Sequence, residues 1–197
     1  VGYWSFDGDN ASTAMDWAGS NDGLYINGSL SNATGCLYND CAKFNAASDY
    51  DYILIPNSSS LDINGSLSIS LWANINTTGR QYLVAKGNGN DYTNNYQLFV
   101  DTDTWFSIGN GSNAAYAIKT NGNSIGNWIH LVGTFNGSAL NLYINGTLQA
   151  NSNYSGTRQL GNELRIGARG STGSVYTNGS IDEVMIFNTS LTATQVT

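Results

Sequence analysis

Three features of this 197-residue chain predict an all-β fold, a single antiparallel sandwich. Apolar residues alternate with period two in segment after segment, helical periodicity is nearly absent, and turn signals recur about every eight to twelve residues. One proline and no linker-like stretch interrupt this pattern, so residues 1–197 read as one domain.

The alternation is cleanest in SLSISLWANI (66–75). Leu67, Ile69, Leu71, Ala73 and Ile75 fall on one face, and Ser66, Ser68, Ser70, Trp72 and Asn74 on the other. Further strands are predicted at NYQLFVD (95–101), TWFSIG (104–109), NWIHLVGTF (127–135), LNLYI (140–144) and ELRIG (163–167). ALNLYINGTLQA predicts a hairpin turning at Asn145-Gly146, because both residues tolerate positive φ. A short turn of helix is expected near 191–196.

Composition excludes several function classes. Charged residues make up only 11 % of the chain, with 7 basic against 14 acidic residues and a net charge of −7. Nucleic-acid affinity rests on clustered Lys and Arg, so a phosphate-binding groove is not expected, and an anionic membrane surface is disfavoured. No apolar run approaches the roughly 18 residues that span a bilayer. The chain begins without methionine on strand-like sequence and shows no signal peptide, which predicts a segment of a longer chain with flanking domains. Cys36 and Cys41, five apart, suit a small disulfide loop and an oxidising compartment; buried free thiols are the alternative.

Twelve N-x-S/T sequons occur, at Asn10, Asn27, Asn32, Asn57, Asn64, Asn76, Asn110, Asn136, Asn145, Asn153, Asn178 and Asn188. They are candidate glycan acceptors of an exported chain. Six read N-G-S/T, however, and Asn-Gly is also hairpin-turn chemistry.

Three blocks stand in a fixed order: YWSFDG (3–8) with DWAGSNDGLYINGSL (16–30), then NWIHLVGTFNGSALNLYINGTL (127–148), then LRIGARGSTGSVYTNGSIDEVMIFNTSLTATQV (164–196). With these motifs the chain resembles the laminin G-like domains of the concanavalin A-like lectin/glucanase superfamily. The resemblance implies a jelly roll of two stacked antiparallel sheets. It does not fix a function, because such folds host glycan-binding, adhesive and catalytic members.

A glycanase needs two carboxylates flanking the scissile bond. The only glutamates, Glu163 and Glu183, are twenty apart, and the pairs Asp49/Asp51 and Asp101/Asp103 read as strand ends or turns. His130, inside WIHLV, reads as a hydrogen-bonded strand residue. The expectation is therefore a non-enzyme.

Asp182 and Glu183, in NGSIDEVMIF, sit in what reads as a buried strand, and alternation places them on opposite faces. In similar proteins the aspartate of G-x-I-D-E-V meets the first strand at a calcium ion. Carried over, this nominates Asp7 and Asp182 as calcium ligands, with Asn21 or Asp22 adding an oxygen; hard oxygens suit Ca2+. A salt bridge to Arg165 or Arg169, or a local turn, is the alternative. A pentraxin-like site at Asn45, Asp49 and Asp51 lacks its acidic loop partner.

Trp4, Trp72 and Trp128 fall in the family motifs and read as structural. Trp105 alternates away from Phe106 and Ile108, so it is the candidate for stacking on a sugar, with Tyr82, Tyr96, Tyr116 and Tyr92 as possible neighbours. The expected molecule is an extracellular, calcium-stabilised recognition or adhesion module. Its expected ligand is a glycan or a cell-surface protein. The competing expectation is a structural or protein-binding module of a surface layer, filament or virion.

Overall fold

The structure, a computed structural model, describes residues 1–10, 12–27, 34–45, 50–87, 95–110, 112–121, 124–170 and 175–197. Asn32, Asp49 and Tyr92 lie outside the described residues. The strands in chain order are β1 (Gly2–Trp4), β2 (Thr13–Ala14), β3 (Gly23–Ile26), β4 (Ala42–Asn45), β5 (Tyr52–Ile55), β6 (Leu67–Ile75), β7 (Gln81–Lys86) and β8 (Tyr96–Val100). They continue with β9 (Thr104–Gly109), β10 (Ala114–Lys119), β11 (Trp128–Phe135), β12 (Ala139–Ile144), β13 (Thr147–Asn153), β14 (Leu164–Ile166) and β15 (Asn178–Phe187), and a short helix α1 (Ala193–Val196) follows.

They form two antiparallel sheets. A seven-stranded sheet runs β1-β15-β6-β11-β12-β13, with β4 also paired to β15. An eight-stranded sheet runs β10-β9-β8-β7-β14-β5-β3-β2. First and last strands lie side by side, Tyr3 opposite Met185. This is the jelly-roll sandwich that the alternating pattern and the motifs predict.

Period two decides the core. Leu67, Ile69, Leu71, Ala73 and Ile75 of β6 all point between the sheets, joined by Leu131 and Phe135 of β11 and Ile181, Val184 and Ile186 of β15. The opposing sheet contributes Ile53, Ile55, Leu98, Phe106, Ile108, Leu164 and Ile166. Gly133 marks the closest approach: a Cβ there would lie 2.2 Å from the Phe106 ring of the other sheet. A fully buried lysine, Lys86, survives in the interior because its ammonium meets Asp62 at 3.0 Å, Asn57 Oδ1 at 2.8 Å and the Asn162 carbonyl at 2.7 Å.

Turn chemistry accounts for some of the sequons. In three sequons the asparagine side-chain oxygen caps its own turn. Asn10 Oδ1 accepts the N–H groups of Ser12 and Thr13, Asn110 Oδ1 those of Ser112 and Asn113, and Asn136 Oδ1 those of Ser138 and Ala139. Asn145 and Gly146, at φ 49° and 76°, turn the β12–β13 hairpin as predicted. Asn178-Gly179 instead lies inside β15. Among the described sequons all but the half-buried Asn110 and Asn178 are exposed.

Gly133→Ala is expected to lower stability by about 1–3 kcal/mol, because the added methyl drives Phe106 off its packing position. Denaturant unfolding checks this, and Gly133→Ala with Phe106→Leu should recover part of the loss.

Candidate functional site

The carboxylates of the last strand come first. Register along β15 shifts between Asp182 and Met185, where a β-bulge inserts one residue opposite β6. Glu183 takes the left-handed conformation, φ 53°. The core-facing residues Ile181 and Val184 are consequently three apart rather than two. Asp182 pairs with Trp72, and Glu183 shares a cavity wall with Trp72 and Met185, so both acids face outward from the seven-stranded sheet. The alternation that would have put them on opposite faces is broken by the bulge.

Asp182 is fully buried. Its Oδ2 accepts the N–H of Tyr38 at 3.2 Å and its Oδ1 that of Glu183 at 2.9 Å. Tyr38 belongs to the loop that the Cys36–Cys41 disulfide closes, with the Cα atoms 5.4 Å apart. The same loop holds Asp7, whose Oδ1 accepts the Asp40 N–H at 3.0 Å and whose Oδ2 accepts Asn39 Nδ2 at 3.2 Å. Burial pushes the Asp182 carboxyl up to about 7; the Tyr38 N–H opposes this, and the charges of Glu183 and Asp7 add to it. Tyr3 donates to Glu183 Oε2 at 2.7 Å, and burial together with that bond raises the phenol to about 12.

The salt-bridge alternative fails. Arg165 pairs with Glu163 at 2.5 Å and lies over the Tyr52 ring on the eight-stranded sheet. Arg169 is placed on the same side, its N–H bonded to the Val175 carbonyl. Among the described residues no cation pairs with Asp182.

Of the four nominated metal ligands, Asp7 lies within electrostatic reach of Asp182, and Asp7 and Asp22 both lie within reach of Asp9. Asn21 is committed elsewhere: its Oδ1 accepts the hydroxyls of Ser58 and Ser60, and its Nδ2 donates to the Val1 carbonyl and Asp16. Asp22 Oδ1 accepts the Asp16 N–H at 2.8 Å in the same turn. Both build the turn around Asp16 in this structure. The oxygen-only pair Asp7 and Asp182 has donor chemistry suited to calcium. Among the described residues, however, no group of three or more His, Cys, Asp and Glu side chains is disposed to hold a metal. The pentraxin-like set is likewise used internally, Asp51 Oδ2 accepting the Asn45 N–H at 3.0 Å.

The tyrosines nearest Trp105 in expectation divide. Tyr82 and Tyr96 are fully buried, Tyr96 donating to the Leu61 carbonyl, so neither reaches a ligand. Period two put Tyr96 inside β8, and Tyr82 is covered in a cluster that includes Phe99 and Val175. Trp105 is half-buried, stacked on Phe99 at 5.4 Å and fixed by its Nε1 bond to Asp101 at 3.0 Å; half-buried Tyr116 meets its edge at 5.9 Å.

Two cavities open on the other sheet. Trp72 of β6 and His130 of β11 are cross-strand neighbours whose rings stack 5.0 Å apart at 26°. They form a ridge between two cavities. One, of about 390 Å3, is lined by Tyr38, Ser70, Trp72, His130, Glu183 and Met185. The other, of about 290 Å3, is lined by the same two rings with Asn145, Gly146, Val196 and Thr197. Trp4 is core, as expected, but Trp72 is half-exposed here. The signal was available: alternation set Trp72 opposite the core-facing residues of β6.

His130 is hydrogen-bonded as expected, its Nε2 2.9 Å from Ser70 Oγ. Burial lowers its pKa, which disfavours the charged ring. A serine beside a histidine is the contact of a nucleophile and its base. Here no group among the described residues bonds Nδ1 to orient the ring. Asn145 Oδ1 accepts the His130 backbone N–H at 2.9 Å, which ties the hairpin turn to the ridge.

A domain of this fold recurs in solved structures. The chain is similar to the binding domain of botulinum neurotoxin serotype G (TM-score 0.74, 15 % identity, 99 % of this chain and 49 % of that one). It is similar to domain 4 of AbnA, a GH43 extracellular arabinanase from Geobacillus stearothermophilus, in complex with arabinotriose (0.73, 20 %, 99 % and 95 %). It also resembles the binding domain of Paraclostridial Mosquitocidal Protein 1 (0.75, 16 %, 100 % and 50 %). The chain thus spans about half the length of the toxin binding domains. No curated protein matches its sequence. The laminin G model of the concanavalin A-like lectin/glucanases superfamily matches residues 45–197. With its two-sheet fold and that match, the chain belongs to this laminin G family of the concanavalin A-like lectin/glucanases superfamily.

Proposed function

We propose that this domain is a non-catalytic, extracellular recognition module whose ligand is a carbohydrate, bound on the outer face of the seven-stranded sheet. The observation that carries this reading is the Trp72–His130 ridge between two open cavities. Aromatic faces bury the apolar side of a pyranose, while hydroxyl, amide and carboxylate groups nearby take its hydroxyls. The lining supplies such groups in Ser70, Tyr38, Glu183 and Asn145. A domain of similar fold holds arabinotriose, which agrees with this class of ligand. The disulfide and the exposed sequons other than Asn145, whose amide lines the second cavity, agree with an exported chain carrying N-linked glycans. A second reading places the sugar on Trp105 and Tyr116, the half-buried aromatic pair on the opposite sheet.

Binding to a glycan array followed by calorimetry tests both. Trp72→Ala should abolish binding and Trp105→Ala should leave it unchanged; the reverse pattern selects the second reading. A domain that binds no glycan, but captures a surface protein, would replace both with a protein-binding module.

Calcium at Asp7 and Asp182 is part of the same proposal. It is supported by a buried carboxylate with an acidic neighbour and no cationic partner among the described residues. Calcium at 100 to 1,000 times its dissociation constant should raise stability by roughly 3–4 kcal/mol, and Asp182→Asn should remove the gain. In EDTA the sign reverses. A carboxyl at about 7 in the folded chain, against about 4 unfolded, binds protons preferentially when folded. Its contribution is full below about pH 4 and is lost as pH rises to about 7, by at most about 4 kcal/mol relative to Asp182→Asn. Melting curves across this range, with and without calcium, would show neither effect if Asp182 were an ordinary surface acid.

A further inference from the structure

The two cavities differ in chemistry but share one wall, and this carries the glycan reading further. We infer that the groove takes an uncharged oligosaccharide of at least two sugar units, one on each side of the ridge, and excludes acidic sugars. The inference rests on the glycan reading above and names its ligand.

Ligand length follows from geometry. Trp72 and His130 line both cavities, so a ligand crossing the ridge contacts each of them. At about 390 and 290 Å3, both cavities sit near the low end of ordinary ligand pockets, about 300–1,000 Å3. A single ring seated in one leaves the other side of the ridge bare. A linked pair covers both, and the second unit binds without a second loss of translational freedom.

Charge selection follows from the lining. Among the described residues, no lysine or arginine lines either cavity. The first cavity contains Glu183, whose Oε2 is already taken by the Tyr3 hydroxyl, leaving Oε1 as an acceptor for sugar hydroxyls. Asp182 and Asp7 lie behind the same wall and are not among the residues lining either cavity, so Glu183 is the charge that a ligand meets with or without calcium there. The cation placed along this strand, Lys43 opposite Ser180, lines neither cavity. Burial disfavours the charged form of His130. A uronate, sialic acid or sulfate would therefore meet an acceptor where it needs a donor, and a like charge where it needs a cation. In the second cavity Asn145 uses its oxygen on the His130 N–H, which leaves the amide nitrogen as the donor. The two sides are thus an acceptor-rich and a donor-bearing subsite for hydroxyls.

The test is calorimetry of the intact domain with a neutral monosaccharide, its di- and trisaccharide, and the uronic-acid or sialylated counterpart of the same length. The expected result is at least about a tenfold gain from mono- to disaccharide, with no binding of the acidic counterpart. Asn145→Gly keeps the positive φ of the turn and should bring the disaccharide down towards the monosaccharide affinity. Glu183→Gln should admit the acidic ligand, raising the ratio of acidic to neutral affinity at least about tenfold whatever it does to neutral binding. Equal affinity for mono- and disaccharide, or acidic sugars bound as well as neutral ones, overturns the inference while Trp72-dependent glycan binding stands. Loss of all saccharide binding overturns the glycan reading itself, and this inference with it.

Discussion

Burial of the Asp182 carboxylate is the constraint around which this end of the molecule is arranged. An unpaired buried charge costs several kcal/mol, and no ion pair among the described residues offsets it. Two backbone N–H groups do so in part. One comes from Glu183, turned back by the bulge, and the other from Tyr38 in the disulfide-closed loop. Each donor needs its own backbone arrangement. Left-handed φ at a glutamate costs about 1–2 kcal/mol, and it persists because the bulge and its hydrogen bond hold it. The loop in turn uses its Asp40 N–H and Asn39 amide on Asp7, so the first and last strands and residues 36–41 are joined through two carboxylates.

This knot also shapes the outer surface. Tyr38 and Glu183, the two residues that donate to Asp182, are both walls of the larger cavity beside Trp72. Stabilising chemistry and the proposed recognition surface therefore share atoms. A change that releases Asp182 would move the wall as well as lower stability. The Cys36–Cys41 bond fits this picture, since it limits the conformations of the loop that supplies the donors.

Aromatic residues illustrate how a strand assigns its side chains. Tyr96 and Trp72 are both strand aromatics in a chain rich in them. Tyr96 sits in phase with Leu98 and Val100 and is swallowed by the core, where its hydroxyl finds a carbonyl. Trp72 sits out of phase with Leu71 and Ala73 and stands on the surface, supported by His130 across the strand pair. Tyr82 shows the limit of the rule. It is out of phase with the core yet fully covered, because Phe99 and Val175 pack over it. Period two reports the face of a sheet; what covers that face is decided by other parts of the chain.

The same division holds for the whole protein. Alternation placed β6, β8, β9, β11 and β12 to within a residue or two at each end, and the Asn145-Gly146 pair fixed a hairpin, because both signals are local in the backbone. Cysteine spacing suited the loop that the disulfide closes for the same reason. Motif order pointed to the family. Tertiary structure alone decided the rest. Glu183 changes face only because β15 must accommodate a bulge against β6, and Asn21 is spent on Ser58 and Ser60, nearly forty positions away. Trp72 and His130 lie 58 positions apart in the chain and become one ridge only when β6 pairs with β11. Sequence spacing carries the periodicity of each strand, whereas a site assembled across strands depends on their register, which is set by the packing of the whole sandwich.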